Sequence, residues 1–335
     1  MLQTPLCRDL GIEFPILSVG MSWLAGPELV AAVSNAGACG VVGMAGMSGA
    51  QVHARISETR ALTNKPFGVN VILARLQEGQ IEACLDEAPP LIVFFWGDPA
   101  PYIRDAHRQG SKVFVQVGSV AEAKAAAEAG VNGVIAQGME AGGHVRSTTA
   151  LSALLPAVVD AVTPLSVIAS GGIANGRGLV AALSLGAEAV SLGTRFLCSE
   201  EAFAAPEYKQ RILRSTAEDT VYLSLFDIGW DAPHRVLRNL TVDEWERAGR
   251  PARGERPGEG AAIGTAPRGD ATAELLKYAA NSYPTPGFTG DIENAVLYAG
   301  ESCTLIHDMK PAAQIVRDLV EEAGAIIRGL QASSR

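Results

Sequence analysis

Two glycine-bearing turns some 20 residues apart carry the clearest chemical signal in this sequence. The run Ile168-Ala169-Ser170 breaks into Gly171-Gly172-Ile173, with a helix start near Asn175, and Val190-Ser191-Leu192 breaks into Gly193-Thr194-Arg195. Glycines let backbone N–H groups approach an anion closely, and a following helix N-terminus adds partial positive charge. Such a pair after the last two strands of a parallel barrel is the usual phosphate site of that fold. A second motif, Gln137-Gly138-Met139-Glu140-Ala141-Gly142-Gly143-His144, holds too many glycines for a helix and too few apolar residues for a core. A histidine at the tip of such a loop can exchange a proton near neutral pH or donate to developing charge. Glu140 in the same loop reads either as a base or as the loop's anchor. The third set is Gly20, Met21, Asn70 and Gln116, each at the end of an apolar run. Amides there can bond the edge of a planar heterocycle, and a methionine can pack on its face. His53, His107 and His307 read as structural residues, while His234 reads equally well either way.

These groups need a scaffold that brings strand ends together. Eight apolar runs occur at Pro15–Val19, Cys39–Val42, Phe67–Leu73, Leu91–Trp96, Lys112–Val117, Gly133–Ala136, Leu165–Ala169 and Ala189–Leu192. Ala-rich helical stretches alternate with them. Runs buried on both faces and followed by helices mark a parallel sheet, and eight units close naturally into an α/β barrel of the TIM, (β/α)8, type. An open doubly wound sheet shows the same alternation, so the strand count is the main argument for closure. Pro27-Glu28 predicts a helix start and Asn35-Ala36-Gly37 its stop. Ser119 is expected to cap Val120–Ala129, and Thr148 or Thr149 a helix ending before Pro164. Past residue 200 the pattern breaks. Pro206–Ala217 and Asp270–Ala280 look helical around Ala248–Gly269, a Pro/Gly/Arg-rich stretch expected to be a long loop. Pro311–Leu330 has helical spacing and should pack back onto the barrel. The expected organisation is a barrel of 1–205 plus 291–335, with a smaller, mainly helical insert at 206–290 that covers the substrate.

Composition narrows the partners. Of 335 residues 48% are hydrophobic and 19% charged, and the formal net charge is −9. That balance disfavours a nucleic-acid groove or an anionic membrane surface. Leu91–Trp96 is far too short to span a bilayer, and Met1–Pro5 does not begin like an export signal. Cys7, Cys39, Cys84, Cys198 and Cys303 are scattered, which predicts a reducing cytoplasm with no disulfide framework and no metal site. No nucleophile elbow, GxGxxG fingerprint or HExxH motif is present.

Together these residues resemble the nitronate monooxygenase family, once called 2-nitropropane dioxygenases, and the related flavin-type enoyl-acyl-carrier-protein reductases. The stretches that carry the resemblance are Pro15–Met21, Lys65-Pro66-Phe67-Gly68-Val69-Asn70, Gln137–His144, Ala169–Ile173 with Gly176–Ala187, and Gly193–Phe196. The resemblance implies an FMN-bearing barrel. It places Met21 and Asn70, with Gly20, at the isoalloxazine ring, and Gln116 and Gln137 beside the ring or ribityl chain. Ser170, Gly171, Gly172, Gly193 and Thr194 would hold the phosphate, Gly142 and Gly143 would join the cofactor set, and His144 matches the family's active-site histidine. Gln137 departs from the Asp or Glu common at its place, and residues 200–290 match least. The implied reaction is oxidation of an alkyl nitronate by molecular oxygen. The alternative is an NADH- or NADPH-fed reductase acting on an enoyl thioester or a quinone. A flavin-free barrel acting on a sugar phosphate would carry the same phosphate grip.

Overall fold

The eight apolar runs become eight parallel strands in a computed structural model that describes residues 2–269 and 271–333. They are β1 (Ile16–Ser18), β2 (Gly40–Gly43), β3 (Phe67–Ile72), β4 (Leu91–Phe95), β5 (Lys112–Val117), β6 (Gly133–Gln137), β7 (Ser166–Ser170) and β8 (Ala189–Leu192). Their order is β1-β8-β7-β6-β5-β4-β3-β2. A parallel bridge from Leu17 to Cys39, with Ser18 N–H donating to the Cys39 carbonyl at 3.0 Å, joins the two ends. The sheet is therefore a ring, a TIM barrel, and the open alternative is set aside.

Nearly every strand residue is buried, because helices cover the outer face while side chains fill the inside. Leu17, Val41, Leu91, Val93, Phe114, Ile135 and Ile168 form the inner core, and the N-terminal helix Pro5–Leu10 adds Leu6, Cys7 and Leu10 to it. Local signals explain the helices. Pro27 and Glu28 open the helix Pro27–Asn35. The Ser119 hydroxyl accepts the Glu122 amide at 3.2 Å and starts Val120–Glu128. The final helix, Ala312–Ser333, lies on the helix Gly176–Ser184, where any Cβ at Gly176 would sit 2.5 Å from the Ala323 nitrogen.

Three expectations are corrected. Neither Thr148 nor Thr149 caps the helix Leu151–Val162; the Glu140 carboxylate accepts the Leu151 amide instead, at 3.0 and 3.1 Å. The region 206–290 is mixed rather than mainly helical. It has helices Pro206–Leu213 and Leu240–Arg247, and two three-stranded antiparallel sheets. One sheet pairs Thr220–Leu223 with His234–Leu237 and then with Gly143–His144 of the glycine loop. The other pairs Ala262–Arg268 with Ala271–Leu276 and Thr289–Gly290, so the expected loop ends in a strand and the expected helix Asp270–Ala280 is a strand within it (Asp270 lies outside the described residues). Ala, Glu and Leu favour a helix locally, but cross-strand pairing outweighs a preference of a few tenths of a kcal/mol per residue. Between these elements, the buried Arg256 fastens the irregular stretch by reaching Asp227 at 2.8 Å, Glu259 at 2.6 Å and the Leu225 carbonyl at 2.7 Å.

Candidate active site

Strand carboxyl ends converge on one mouth of the barrel, which encloses a cavity of about 400 Å³. Gly20, Met21, Asn70, Gln116, Gln137, Gly142, Gly143, His144, Ser170, Gly171, Gly172, Gly193 and Thr194 all line it. Register explains the gathering: Gln137 stands opposite Ser170, and Ser170 opposite Ser191, so neighbouring strands end at one level. Among the described lining residues there is no Asp, Glu or Lys, and the charged side chains are Arg75 and Arg268.

At the β7–β8 rim, Gly171 and Gly172 have φ of +105° and +69°, which only glycine adopts readily. A Cβ at Gly193 would have no heavy atom nearer than 4.0 Å, so this backbone borders open cavity. Thr194 Oγ1 accepts the Gly300 amide at 3.0 Å and ties the β8 turn to the segment after Tyr298. Gly142 packs against that same segment, where a Cβ would lie 2.3 Å from the Gly300 nitrogen. Across the mouth, Gly20 leaves room for Asn70, whose Cβ would be 2.4 Å from any added methyl. Asn70 Nδ2 then donates to the Val93 carbonyl at 3.2 Å. Gln137 Nε2 donates to the His144 carbonyl at 3.0 Å, and its buried Oε1 has no partner among the described residues.

His144 is held on every side but one. Its backbone pairs with His234, and Arg235 anchors the loop through the Met139 carbonyl at 3.0 and 3.1 Å. The ring lies over Trp230 with centroids 3.7 Å apart, and Trp96 meets Trp230 edge-on at 5.4 Å. Tyr298 Oη donates its one proton to the Ala280 carbonyl at 2.8 Å, so at 3.3 Å it can only accept from His144 Nε2–H. Nδ1 is buried and makes no hydrogen bond of normal geometry with any of the described residues, while the backbone carbonyls of Ala232 and Pro233 act on the ring. Burial first, then the neighbouring His234 and Arg75, push the His144 pKa well below the usual histidine value, against the opposing pull of the Ala232 and Pro233 carbonyls. The arrangement holds a neutral imidazole in the wall of the cavity.

Glu140 is the loop's anchor, since both carboxylate oxygens serve the Leu151 amide. His234 is structural as well. Its Nε2 accepts the Phe226 amide at 3.2 Å, Nδ1–H donates to the Ala232 carbonyl at 2.8 Å, and burial pulls its pKa down to about 4. Because that folded value lies below the unfolded one, the unfolded chain binds the proton first as pH falls. Stability present above pH 6.5 should drain away between about 6.5 and 4, by about 3 kcal/mol for this one group. Urea midpoints measured across that window should fall more steeply in the wild type than in His234→Gln; parallel curves would refute the assignment. His53, His107 and His307 do not line the cavity.

Sequence reading missed Arg75, Trp230 and the anchoring role of Tyr298. Gly229-Trp230 had a usable signal, a large aromatic beside a glycine, but nothing in its spacing pointed to His144.

The family model for nitronate monooxygenase matches residues 3–322 of the chain. A Mycobacterium tuberculosis protein named (3aS,4S,5R,7aS)-5-hydroxy-7a-methyl-1-oxo-octahydro-1H-indene-4-carboxyl-CoA dehydrogenase is 38% identical over 76% of this chain and 71% of its own. A probable nitronate monooxygenase of Staphylococcus aureus is 29% identical over 96% of this chain and 98% of its own. Among solved structures, FabK from Thermotoga maritima superposes with a TM-score of 0.82 at 33% identity, covering 99% of this chain and 100% of the other. Nitroalkane oxidase from Streptomyces ansochromogenes gives 0.79 at 26% identity, over 96% and 99%.

Proposed function

The chain belongs to the nitronate monooxygenase family and is an oxidoreductase, and from that premise we propose that it binds FMN and oxidises alkyl nitronates with molecular oxygen to a carbonyl compound and nitrite. The observation that carries this reading is the cavity's charge. In a chain of net charge −9 the described lining residues include two arginines and a neutral histidine but no carboxylate. Such a lining suits anions, both a cofactor phosphate and a nitronate.

The residues fit FMN. Ser170, Gly171, Gly172, Gly193 and Thr194 would take the phosphate, where Gly193 borders open space and Gly171 and Gly172 take the positive φ of a tight turn. Gly20, Met21, Asn70 and Gln116 would border the ring, and the unpartnered Oε1 of Gln137 calls for a donor that the described residues do not supply. Gly142 and Gly143 complete the rim. FMN, when bound, supplies an electron acceptor for the substrate and an electron donor for dioxygen. The His144 imidazole, in the cavity wall, takes the carbon-bound proton of a neutral nitroalkane, and the resulting imidazolium offsets the negative charge left on the substrate. Trp230 fixes the ring plane, and Tyr298 holds the Nε2 edge. Residues 206–290 act as the cover over a barrel of 1–205 and 291–335; Gly229, Trp230, Arg268, Ala273 and Leu275 all come from the cover. No helix among the described residues is long and apolar enough to cross a membrane, and the five buried, unpaired cysteines suit the proposed cytoplasmic setting.

A second reading, reduction or oxidation of an acyl thioester with NADH or NADPH as partner, is favoured by the 38% identity to the carboxyl-CoA dehydrogenase. It uses the same proton transfer, next to a thioester carbonyl instead of a nitro group. Oxygen uptake separates the two. Propyl-2-nitronate without any nicotinamide should drive oxygen consumption and nitrite release. Rapid anaerobic bleaching by NADH or NADPH, with no nitronate turnover, would establish the second reading instead.

A further inference from the structure

Arg75 ends the short turn Leu73–Arg75 that follows β3. Three strands separate β3 from β7 whichever way the ring is traversed, so Arg75 stands on the rim opposite the phosphate turns. It lines the cavity half-buried, 5.8 Å from the Trp230 ring on which His144 lies. Its guanidinium makes no hydrogen bond and no ion pair among the described residues. The other cavity cation differs. Arg268 is fully engaged, donating to the carbonyls of Pro267, Asn281 and Tyr283 and to Thr285 Oγ1 while stacking on Tyr283 at 4.5 Å. Arg268 is a strut; Arg75 is a cation with its donors unspent.

An arginine partly withdrawn from water, with five donors and no acceptor, is costly unless an anion completes it. We propose that Arg75 anchors the anionic head of the substrate, a planar group with two oxygens, beside Trp230 and the His144 ring. The guanidinium fork matches two such oxygens with two parallel N–H···O bonds, which a lysine cannot reproduce. This residue would make the site select ionised nitronates, or carboxylates of the same shape, over neutral molecules of equal size. The identity of the head as a nitronate rests on the function proposed above; the anion anchor itself does not.

Isobutyrate has nearly the shape of propyl-2-nitronate, carries the same charge and does not react, while isobutyramide is its neutral counterpart. Calorimetric titration of each into the FMN-loaded wild type, Arg75→Gln and Arg75→Lys tests the anchor. Isobutyrate affinity should fall about 10- to 100-fold in Arg75→Gln, with Arg75→Lys between, and isobutyramide should not distinguish the three. With propyl-2-nitronate, the KM of Arg75→Gln should rise by more than kcat falls. Isobutyrate binding that depends on Arg75 in an enzyme without nitronate turnover would keep the anchor and reject the nitronate. Nitronate turnover with unchanged KM and unchanged isobutyrate affinity in Arg75→Gln would overturn the anchor and leave the proposed function standing.

Discussion

Replacing His144 with alanine should leave a yellow, folded protein whose turnover of neutral nitroalkane falls by about 10²- to 10⁴-fold, the span usual for removing a positioned acid–base group. The reason is geometric. The ring lines the cavity, its Nε2 lies 3.3 Å from the Tyr298 hydroxyl, and it is the one imidazole among the described lining residues. The side chain is half-buried and lies on Trp230, so its removal takes a ring from a stack and no member from the barrel core. Substrate already ionised needs no deprotonation, and the loss with propyl-2-nitronate should be smaller than with 2-nitropropane. Acid pH should act in the same direction as the mutation. The base form persists below the ordinary histidine range, because burial lowers the pKa, and is lost only as pH falls through that lowered value. The wild-type kcat/KM with nitroalkane should therefore hold level down through pH 6.5 before declining. Unchanged kcat in His144→Ala would remove this residue from the mechanism.

Gly171→Asp should lose FMN altogether. Two costs add there. The backbone at φ +105° strains any residue with a side chain, and an added Cβ would come 3.2 Å from the Ala141 Cβ. The carboxylate would then stand where two phosphate charges are expected. At about 4 Å and an effective dielectric of 20, each like-charge pair costs about 4 kcal/mol, or roughly a thousandfold in affinity. Gly171→Ala separates the terms, since it keeps the strain and adds no charge; it should retain far more cofactor than Gly171→Asp. Dialysis against FMN followed by an absorbance ratio reads both. A fully loaded Gly171→Asp would move the phosphate elsewhere.

Barrel strands were legible because burial on both faces writes itself as an unbroken apolar run. Lys112–Val117 and Ala189–Leu192 appear with the same bounds in sequence and structure. The residues at their ends were legible for a related reason: parallel strands all deliver their carboxyl ends to one mouth. The hairpin of Ala262–Arg268 and Ala271–Leu276 was hidden, since Ala271-Thr272-Ala273-Glu274-Leu275-Leu276 has a helix former's composition and only its partner strand makes it extended. The cap at Leu151 was hidden too, because it comes from a carboxylate 11 residues earlier rather than from the adjacent threonines. Tyr298 and His144 meet across 154 residues of chain, and Arg75 and Trp230 sit on turns where no periodicity marks a direction. Contacts made by loops over long separations leave no local pattern to read.

The claim on which the rest depends is that this barrel mouth holds FMN. An absorption spectrum of the purified protein, followed by denaturation and identification of the released chromophore, tests it directly. The account predicts the paired visible bands of a bound flavin and release of FMN in a one-to-one ratio with the chain. A colourless protein that stays colourless after incubation with FMN would contradict it.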